Sequence, residues 1–159
     1  MAVVAREANE PELDAVVVGL RARFGTRTIA RGSSGAAREL LRTLRDGTAL
    51  GMLIDQDTRV EGVFVPFLGR AAFTPVGAAQ IALRQDLAAV PVFIERQPDG
   101  NHLARALPPF ALPPDATAAT ALMTGAIEAQ VRRCPAQWVW MHRRWRRRPP
   151  EEGAATVQT

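Results

Sequence analysis

The sequence contains no lysine, only two histidines and a single cysteine, Cys134. One cysteine excludes an internal disulfide framework and any zinc site built from several cysteines, and it fits a reducing, cytoplasmic setting. No stretch approaches the roughly 20 consecutive apolar residues that a transmembrane helix requires. The apolar N-terminal run is too short for a secretory signal, and acids follow it. The sequence also contains no Walker phosphate loop, no dinucleotide-binding glycine fingerprint and no Gly-x-Ser-x-Gly elbow. The common nucleotide-binding and serine-hydrolase motifs therefore give no indication of function.

The charge that is present is unevenly distributed. The 159 residues, 47% of them hydrophobic and 23% charged, suffice for one ordinary domain with a core. All 20 basic residues are arginines, and seven of them lie between positions 132 and 148, where no acid occurs. This concentration of positive charge indicates an anionic partner, which could be nucleic acid, an acidic membrane surface or a phosphorylated ligand.

Short apolar segments alternate with amphipathic ones along the chain. The apolar segments predict strands at Val3–Val4, Thr28–Ile29, Leu50–Ile54, Val63–Phe67, Ala88–Glu95 and His102–Leu107. The amphipathic segments predict four helices. The first runs from Pro11 to a stop at Gly25, the second follows a cap at Ser33–Ser34, the third runs from about Pro75 to Arg84 and the fourth from about Ala116 to Arg133. This order predicts an α/β fold with a mainly parallel sheet flanked by helices. We expect a single domain over residues 1–149 and a disordered tail over residues 150–159.

Polar residues follow two of the predicted strands. Arg6 ends the first strand, and Asp55-Gln56-Asp57 follows the strand Leu50–Ile54. Functional groups gather at the carboxyl ends of parallel strands, so Arg6 and Asp55 are predicted to lie at the same end of one sheet. The acids could orient a catalytic base, bind a metal or hold an arginine. The alternatives are a solvated loop that caps the strand and an ion pair that only joins two strand ends.

The segment from Cys134 to Trp145 combines three tryptophans with a basic run. Tryptophan favours the boundary between water and hydrocarbon, and arginine forms bidentate hydrogen bonds to phosphate. The same residues could stack on bases and contact a nucleic-acid backbone. The structural alternative places Trp138 and Trp140 in the core and leaves the arginines in water. In either case we expect Trp145 to be the most exposed of the three tryptophans.

An ordered series of short motifs spans nearly the whole chain. It comprises Val4-Ala5-Arg6, Asn9-Glu10-Pro11, Asp55-Gln56-Asp57, Val63 to Gly69, Thr74, Val90 to Phe93, Glu128, Cys134 to Trp140 and His142 to Trp145. The order, the spacing and the Gln-Trp-x-Trp-x-His-Arg-Arg-Trp ending resemble the C-terminal portion of the lipid A biosynthesis (lauroyl/myristoyl) acyltransferase family. That family lies within the wider lysophospholipid acyltransferase-like group.

The resemblance implies transfer of a fatty acyl group from acyl carrier protein to a sugar hydroxyl of a lipid A precursor, in lipopolysaccharide biosynthesis. It implies the cytoplasmic face of the inner membrane, no metal, no organic cofactor and a glycerolipid-acyltransferase-like fold that is N-terminally incomplete here. The family's histidine, which deprotonates the acceptor hydroxyl, opens a His-x-x-x-x-Asp/Glu motif. Neither His102 nor His142 begins such a motif. We therefore assign no catalytic residue and expect a fragment that is peripheral to the membrane and inactive in isolation.

Site residues follow from the same resemblance. Substrate binding is expected of Arg6, Asp55, Gln56 and Asp57, with Arg6 contacting an anionic group or stabilising the oxyanion of the reaction. Contact with a membrane surface or with phosphate is expected of Arg143, Arg144, Trp145 and Arg147. The expected partners are acyl carrier protein, a lipid A precursor or another glycolipid, and an anionic membrane surface, whereas the motif series argues against nucleic acid. A non-catalytic remnant that binds anionic membranes or lipids is the alternative.

Overall fold

A computed structural model describes residues 1–150 of the chain. Its contacts group into two compact units, Met1–Leu53 and a second unit that begins at Ile54. Within residues 1–150 there are seven strands and four α-helices. None of these helices combines the length and the apolar character that a bilayer-spanning segment needs.

The first unit is built on a three-stranded parallel sheet with the order β2-β1-β3. Its strands are β1 (Ala2–Ala5), β2 (Arg27–Ala30) and β3 (Leu50–Gly51). The helices α1 (Pro11–Arg23) and α2 (Ala36–Arg45) connect them, because parallel neighbours require a crossover connection. The strand prediction around Val3–Val4 is confirmed, and Arg6 directly follows β1.

Three local features of the first unit differ from the sequence-based expectations. The strand predicted for Leu50–Ile54 ends at Gly51, and Ile54 packs instead in the core of the second unit. The helix α2 is capped by Gly35 rather than by the serines, because the hydroxyl of Ser33 donates to the carbonyl of Ala30 at 2.9 Å. The helix α1 forms as predicted, but none of its residues is buried.

The second unit begins with an antiparallel hairpin. Strands β4 (Gly62–Phe67) and β5 (Arg70–Pro75) pair along their whole length. Leu68 and Gly69 form the two-residue turn, with φ angles of 51° and 80°. Positive φ at both positions is typical of the type I′ turn, whose twist matches that of the paired strands. The strand prediction at Val63–Phe67 is confirmed, and its antiparallel partner β5 is an addition.

A second hairpin consists of β6 (Val92–Arg96) and β7 (His102–Ala106). The sequence predicted a parallel strand at Ala88–Glu95, but β6 is antiparallel to β7. Only five residues connect β6 to β7, too few for the crossover that parallel pairing demands. Within residues 1–150 the parallel sheet is therefore confined to the first unit, and the expectation of a mainly parallel sheet is replaced by a mixed α/β architecture.

Two helices form the core of the second unit. The helix α3 (Gly77–Arg84) packs against α4 (Ala116–Arg133), whose bounds agree with the prediction. Asp115 caps α4 by accepting the amide of Ala118 at 2.7 Å. One core cluster joins these helices through Ile54, Ala79, Ala119 and Met123. A second cluster places the C-terminal segment, residues 134–148, against the first hairpin through Phe67, Ala72, Val131, Trp138 and Trp145.

The single domain over residues 1–149 stays a prediction. The predicted disordered tail falls almost wholly on residues 151–159, which lie outside the described residues.

Candidate functional site

Arg6 is exposed just beyond the carboxyl end of β1, and its guanidinium donates to the side-chain oxygen of Asn9. The next turn is fixed by Asp14, which accepts the amide of Ala8 at 2.8 Å. Asn9 and Asp14 therefore orient the connection between β1 and α1 around an arginine that remains accessible to a ligand. Arg6 belongs to the first unit and Asp55 to the second, so their common position at one sheet end stays a prediction.

Asp57 is the buried residue of the Asp55-Gln56-Asp57 segment. Its side chain is completely buried, while Asp55 and Gln56 are half-buried. Its Oδ1 lies 3.2 Å from a terminal nitrogen of Arg146 and 3.1 Å from Nε of Arg147. A buried carboxylate is costly unless it is paired, and here two guanidinium groups pair with one oxygen. The sequence interpretation in which these acids hold an arginine describes Asp57 correctly.

The backbone around Asp57 is held by the same C-terminal segment. The amide of Asp57 donates to Nε2 of His142 at 2.9 Å. The carbonyl of Asp57 accepts from Arg146 at 2.8 Å, and the carbonyl of Thr58 accepts from Arg147 at 2.7 Å. Residues from 85 to 89 positions apart in sequence thus meet through several directed hydrogen bonds.

Arg144 lies inside the fold, with only 1% of its surface exposed. Its guanidinium donates to the carbonyl of Phe73 and, at 2.6 Å, to the hydroxyl of Thr74. It also lies over the ring of Phe67, 5.2 Å from the ring centroid. Burial lowers the pKa of Arg144 below its usual value, and the carboxylates of Asp55 and Asp57 oppose that shift. The positive charge of Arg144 is therefore balanced by Asp55 and Asp57. The sequence analysis had assigned these acids to substrate binding and Arg144 to membrane or phosphate contact.

The acids near Arg144 retain unused acceptor capacity. Among the described residues no group donates a hydrogen bond to Asp55 Oδ1 or Asp57 Oδ2, although both oxygens are buried. Buried carboxylate oxygens normally have partners, so these two oxygens are exceptions in the interior of the second unit. Within residues 1–150, however, no three His, Cys, Asp or Glu side chains assemble into a metal-binding group.

The three tryptophans form an aromatic cluster around Phe67. The rings of Trp138 and Trp145 lie 5.4 and 5.8 Å from the Phe67 ring. Trp140 packs edge-on against Trp138 at 4.8 Å and donates from Nε1 to the carbonyl of Pro135 at 2.7 Å. Trp140 nevertheless remains 52% exposed, while Trp145 is half-buried. The expectation that Trp145 would be the most exposed tryptophan is wrong, because Trp145 is packed between Phe67 and the guanidinium of Arg70.

The four residues assigned to membrane or phosphate contact occupy different environments. Arg143 is exposed, whereas Arg144 is buried and Trp145 is half-buried. Arg147 is half-buried, pairs with Asp57 and lies 3.9 Å from the ring centroid of Phe73. The guanidinium groups of Arg144 and Arg147 are thus directed to internal partners, and Arg143 presents its charge to solvent.

Several residues of the network were not singled out as site residues by the sequence reasoning. His142, Arg146 and Thr74 join the Asp57 and Arg144 contacts. Gln137 bonds both the amide and the carbonyl of Arg96 on β6, at 2.8 and 3.0 Å. All of these residues except Arg146 belong to the motif series, and membership in that series was the only sequence signal that could have identified them. No spacing rule predicts contacts between residues so distant in sequence.

Comparison with known proteins places the chain in a family. The family model described as bacterial lipid A biosynthesis acyltransferase matches residues 1–147. A lipid A biosynthesis lauroyltransferase of Escherichia coli (strain K12) is 32% identical over 115 residues, which cover 69% of this chain and 38% of that protein. The chain therefore spans well under half the length of this curated relative. The matched range includes Arg6, the Asp55–Asp57 segment and the contacts that His142 and the arginines make with it.

Proposed function

Since the chain belongs to the bacterial lipid A biosynthesis acyltransferase family, we propose that it carries the substrate-contacting part of an enzyme that acylates a lipid A precursor. The observation that carries this proposal is the family match over residues 1–147, which includes the whole buried Asp57 network. The glycerolipid-acyltransferase-like fold is part of the same proposal. The acyl donor in this proposal is acyl carrier protein, and another glycolipid is the alternative acceptor.

The proposed roles follow from where charge is available. Arg6 is an exposed cation beyond β1, suited to an anionic group of the substrate or to the oxyanion that forms during acyl transfer. Asp55 and Gln56 present polar groups next to the fixed Asp57, suited to the hydroxyl and amide groups of a sugar acceptor. Asp57 itself is assigned an indirect role, since its side chain is buried and paired with arginines.

Membrane contact is proposed for the exposed part of the C-terminal segment. Arg143, Trp140 and Met141 are all exposed, with Met141 at 89%. A cation beside an indole and a thioether suits the boundary of an anionic bilayer. The proposed location is the cytoplasmic face of the inner membrane, with the chain bound peripherally.

A non-catalytic lipid-binding role is the second candidate function, and a specific observation favours it. No His-x-x-x-x-Asp/Glu motif occurs in these 159 residues, so the family's general base is not among them. A positioned general base contributes on the order of 10²–10⁴ to rate. The chain by itself is therefore expected to bind the glycolipid without acylating it.

The experiment combines binding with an acyl-transfer assay on the purified 159-residue chain. We expect binding to micelles of a lipid A precursor, weakened about fivefold or more by Arg6→Gln or Asp55→Asn through loss of a charge-assisted contact. Arg45→Gln, which removes an exposed arginine of the same unit as Arg6, is the matched control and leaves binding unchanged. No transfer from acyl carrier protein is expected. Binding that is insensitive to both site variants would contradict the proposed function, and measurable transfer would contradict the non-catalytic alternative.

A further inference from the structure

The C-terminal segment engages three of the four polar atoms of Asp57. Its amide nitrogen donates to His142, its carbonyl accepts from Arg146, and Oδ1 lies against Arg146 and Arg147. The added bonds to the amide and the carbonyl fix the backbone orientation of this one residue.

The contact with His142 has a defined chemistry. A backbone amide can donate to Nε2 only when that nitrogen carries a lone pair, so this hydrogen bond requires Nε2 to be unprotonated. The backbone of His142 is held locally, because its amide donates to the carbonyl of Val139 at 3.1 Å and its carbonyl accepts the amide of Arg144 at 2.8 Å. Arg144 in turn is anchored in the core of the hairpin by Phe73 and Thr74.

Asp57 transmits this restraint to the residues just before it. Asp55 and Gln56 are half-buried, and Ile54 is buried in the core formed with α3 and α4. The segment between Ile54 and Asp57 is therefore fixed at both ends, by apolar packing on one side and by the His142 hydrogen bond on the other. Only Asp55 and Gln56 lie between the two fixed points.

We propose that His142 is a positioning residue, which orients Asp55 and Gln56 toward the acceptor sugar by holding the amide of Asp57. The proposal rests on the proposed function for the identity of the acceptor, but the hydrogen bond itself does not depend on it. His142 does not touch substrate in this proposal. Two arginines of the C-terminal segment, Arg146 and Arg147, support the residues around Asp57 through hydrogen bonds to Asp57 and Thr58.

The hydrogen bond has a direct spectroscopic signature in the full 159-residue chain. A scalar coupling between the Asp57 amide nitrogen and Nε2 of His142 passes only through a bond of this kind. We expect that coupling in the ¹⁵N-labelled protein at mildly alkaline pH, together with slow exchange of the Asp57 amide hydrogen. His142→Ala is expected to accelerate that exchange selectively, and His142→Gln to restore protection because its side-chain oxygen can accept the same amide.

The positioning role is tested by binding to micelles of a lipid A precursor. His142→Ala is expected to weaken binding about three- to tenfold, the effect of one lost hydrogen bond, and His142→Gln to recover it. His102→Gln, at an exposed position on β7, is the control and leaves binding unchanged. Circular dichroism verifies that each variant is folded.

The outcomes separate this proposal from the one on which it rests. Absence of the coupling, or equal exchange of the Asp57 amide in His142→Ala and wild type, overturns the positioning proposal. If Asp55→Asn weakens binding and His142→Ala does not, the positioning proposal alone is overturned. If neither Asp55→Asn nor Arg6→Gln weakens binding while the coupling is present, the proposed function is the one that fails.

Discussion

Arg143 and Arg144 are neighbours in sequence but have opposite environments. Arg143 faces solvent, while the guanidinium of Arg144 is buried against Phe73, Thr74 and the ring of Phe67. Removing a guanidinium from water costs several kcal/mol, which only directed hydrogen bonds and nearby acids can offset. Asp55 and Asp57 supply that negative charge. The buried arginine is therefore useful to the fold only while its partners are complete.

Arg144→Ala is expected to destabilise the second unit by about 3 kcal/mol, because the variant leaves the buried acids and acceptors without their cation. Arg143→Ala should change the free energy of unfolding by no more than about 0.5 kcal/mol, as is usual for an exposed side chain. Urea unfolding monitored by tryptophan fluorescence measures this unit alone, since all three tryptophans lie in it. Equal stability of the two variants would show that Arg144 is not a structural cation.

At the scale of elements, local signals predicted where segments are and not what they pair with. The bounds of the helix α4 agree with the prediction, and its cap, Asp115, directly precedes its first residue. The sheets were harder, since pairing depends on connection length and on distant partners. The segment Ala88–Glu95 has the composition of a buried parallel strand, yet its short connection to His102 makes β6 antiparallel.

The candidate site divides in the same way. That Arg6 directly follows a strand was accessible from sequence, because polar residues after apolar runs mark such places. The same expectation was wrong for Asp55-Gln56-Asp57, which begins four positions after β3 ends. The partners of Asp57 were not, since His142, Arg146 and Arg147 lie 85 to 90 residues away. The basic run looked like a solvent-facing surface, and only packing against the first hairpin reveals that Arg144 and Arg147 point inward.

The turn of the first hairpin is coupled to α4 by Glu128. This carboxylate accepts the amide of Leu68 at 2.7 Å and pairs with Arg132 at 2.8 Å. The amide hydrogen bond and Arg132 hold the pKa of Glu128 below its usual value. Leu68 has a positive φ, so its backbone conformation benefits from an added restraint.

Glu128→Gln is expected to destabilise the second unit at neutral pH by about 1–2 kcal/mol, the effect of weakening one charge-assisted hydrogen bond. Because the folded-state pKa is lowered, this stabilisation is present above the unfolded pKa of about 4.3 and is lost as the pH falls through the lower folded value. Urea midpoints of wild type and variant should therefore converge in acid. Glu61→Gln, at an exposed position of the same unit, is the control. A difference that stays constant with pH would contradict the role of the carboxylate charge.

Across the whole molecule, the charge segregation in the sequence is partly neutralised by the fold. Arg132 pairs with Glu128, Arg133 with Glu95, and Arg146 and Arg147 with Asp57. Arg144 is buried. Of the seven arginines between positions 132 and 148, Arg143 and Arg148 are exposed without an ion pair among residues 1–150, and Arg143 lies close in sequence to the exposed Trp140 and Met141.

The chain is expected to bind anionic vesicles more tightly than neutral ones. This preference should decline as salt is added, because at physiological ionic strength charges are screened beyond a Debye length of about 8–10 Å. Arg143→Gln should weaken anionic binding about fivefold, since one basic residue near such a surface contributes roughly 1 kcal/mol. Trp140→Ala should instead remove a contribution that salt leaves unchanged, because an indole at the interface acts through burial rather than charge. Arg59→Gln, another exposed arginine of the second unit, is the matched control for charge. Flotation with neutral and anionic vesicles across a salt series measures all four proteins, and equal binding to the two vesicle types would mean that Arg143 serves a protein partner instead.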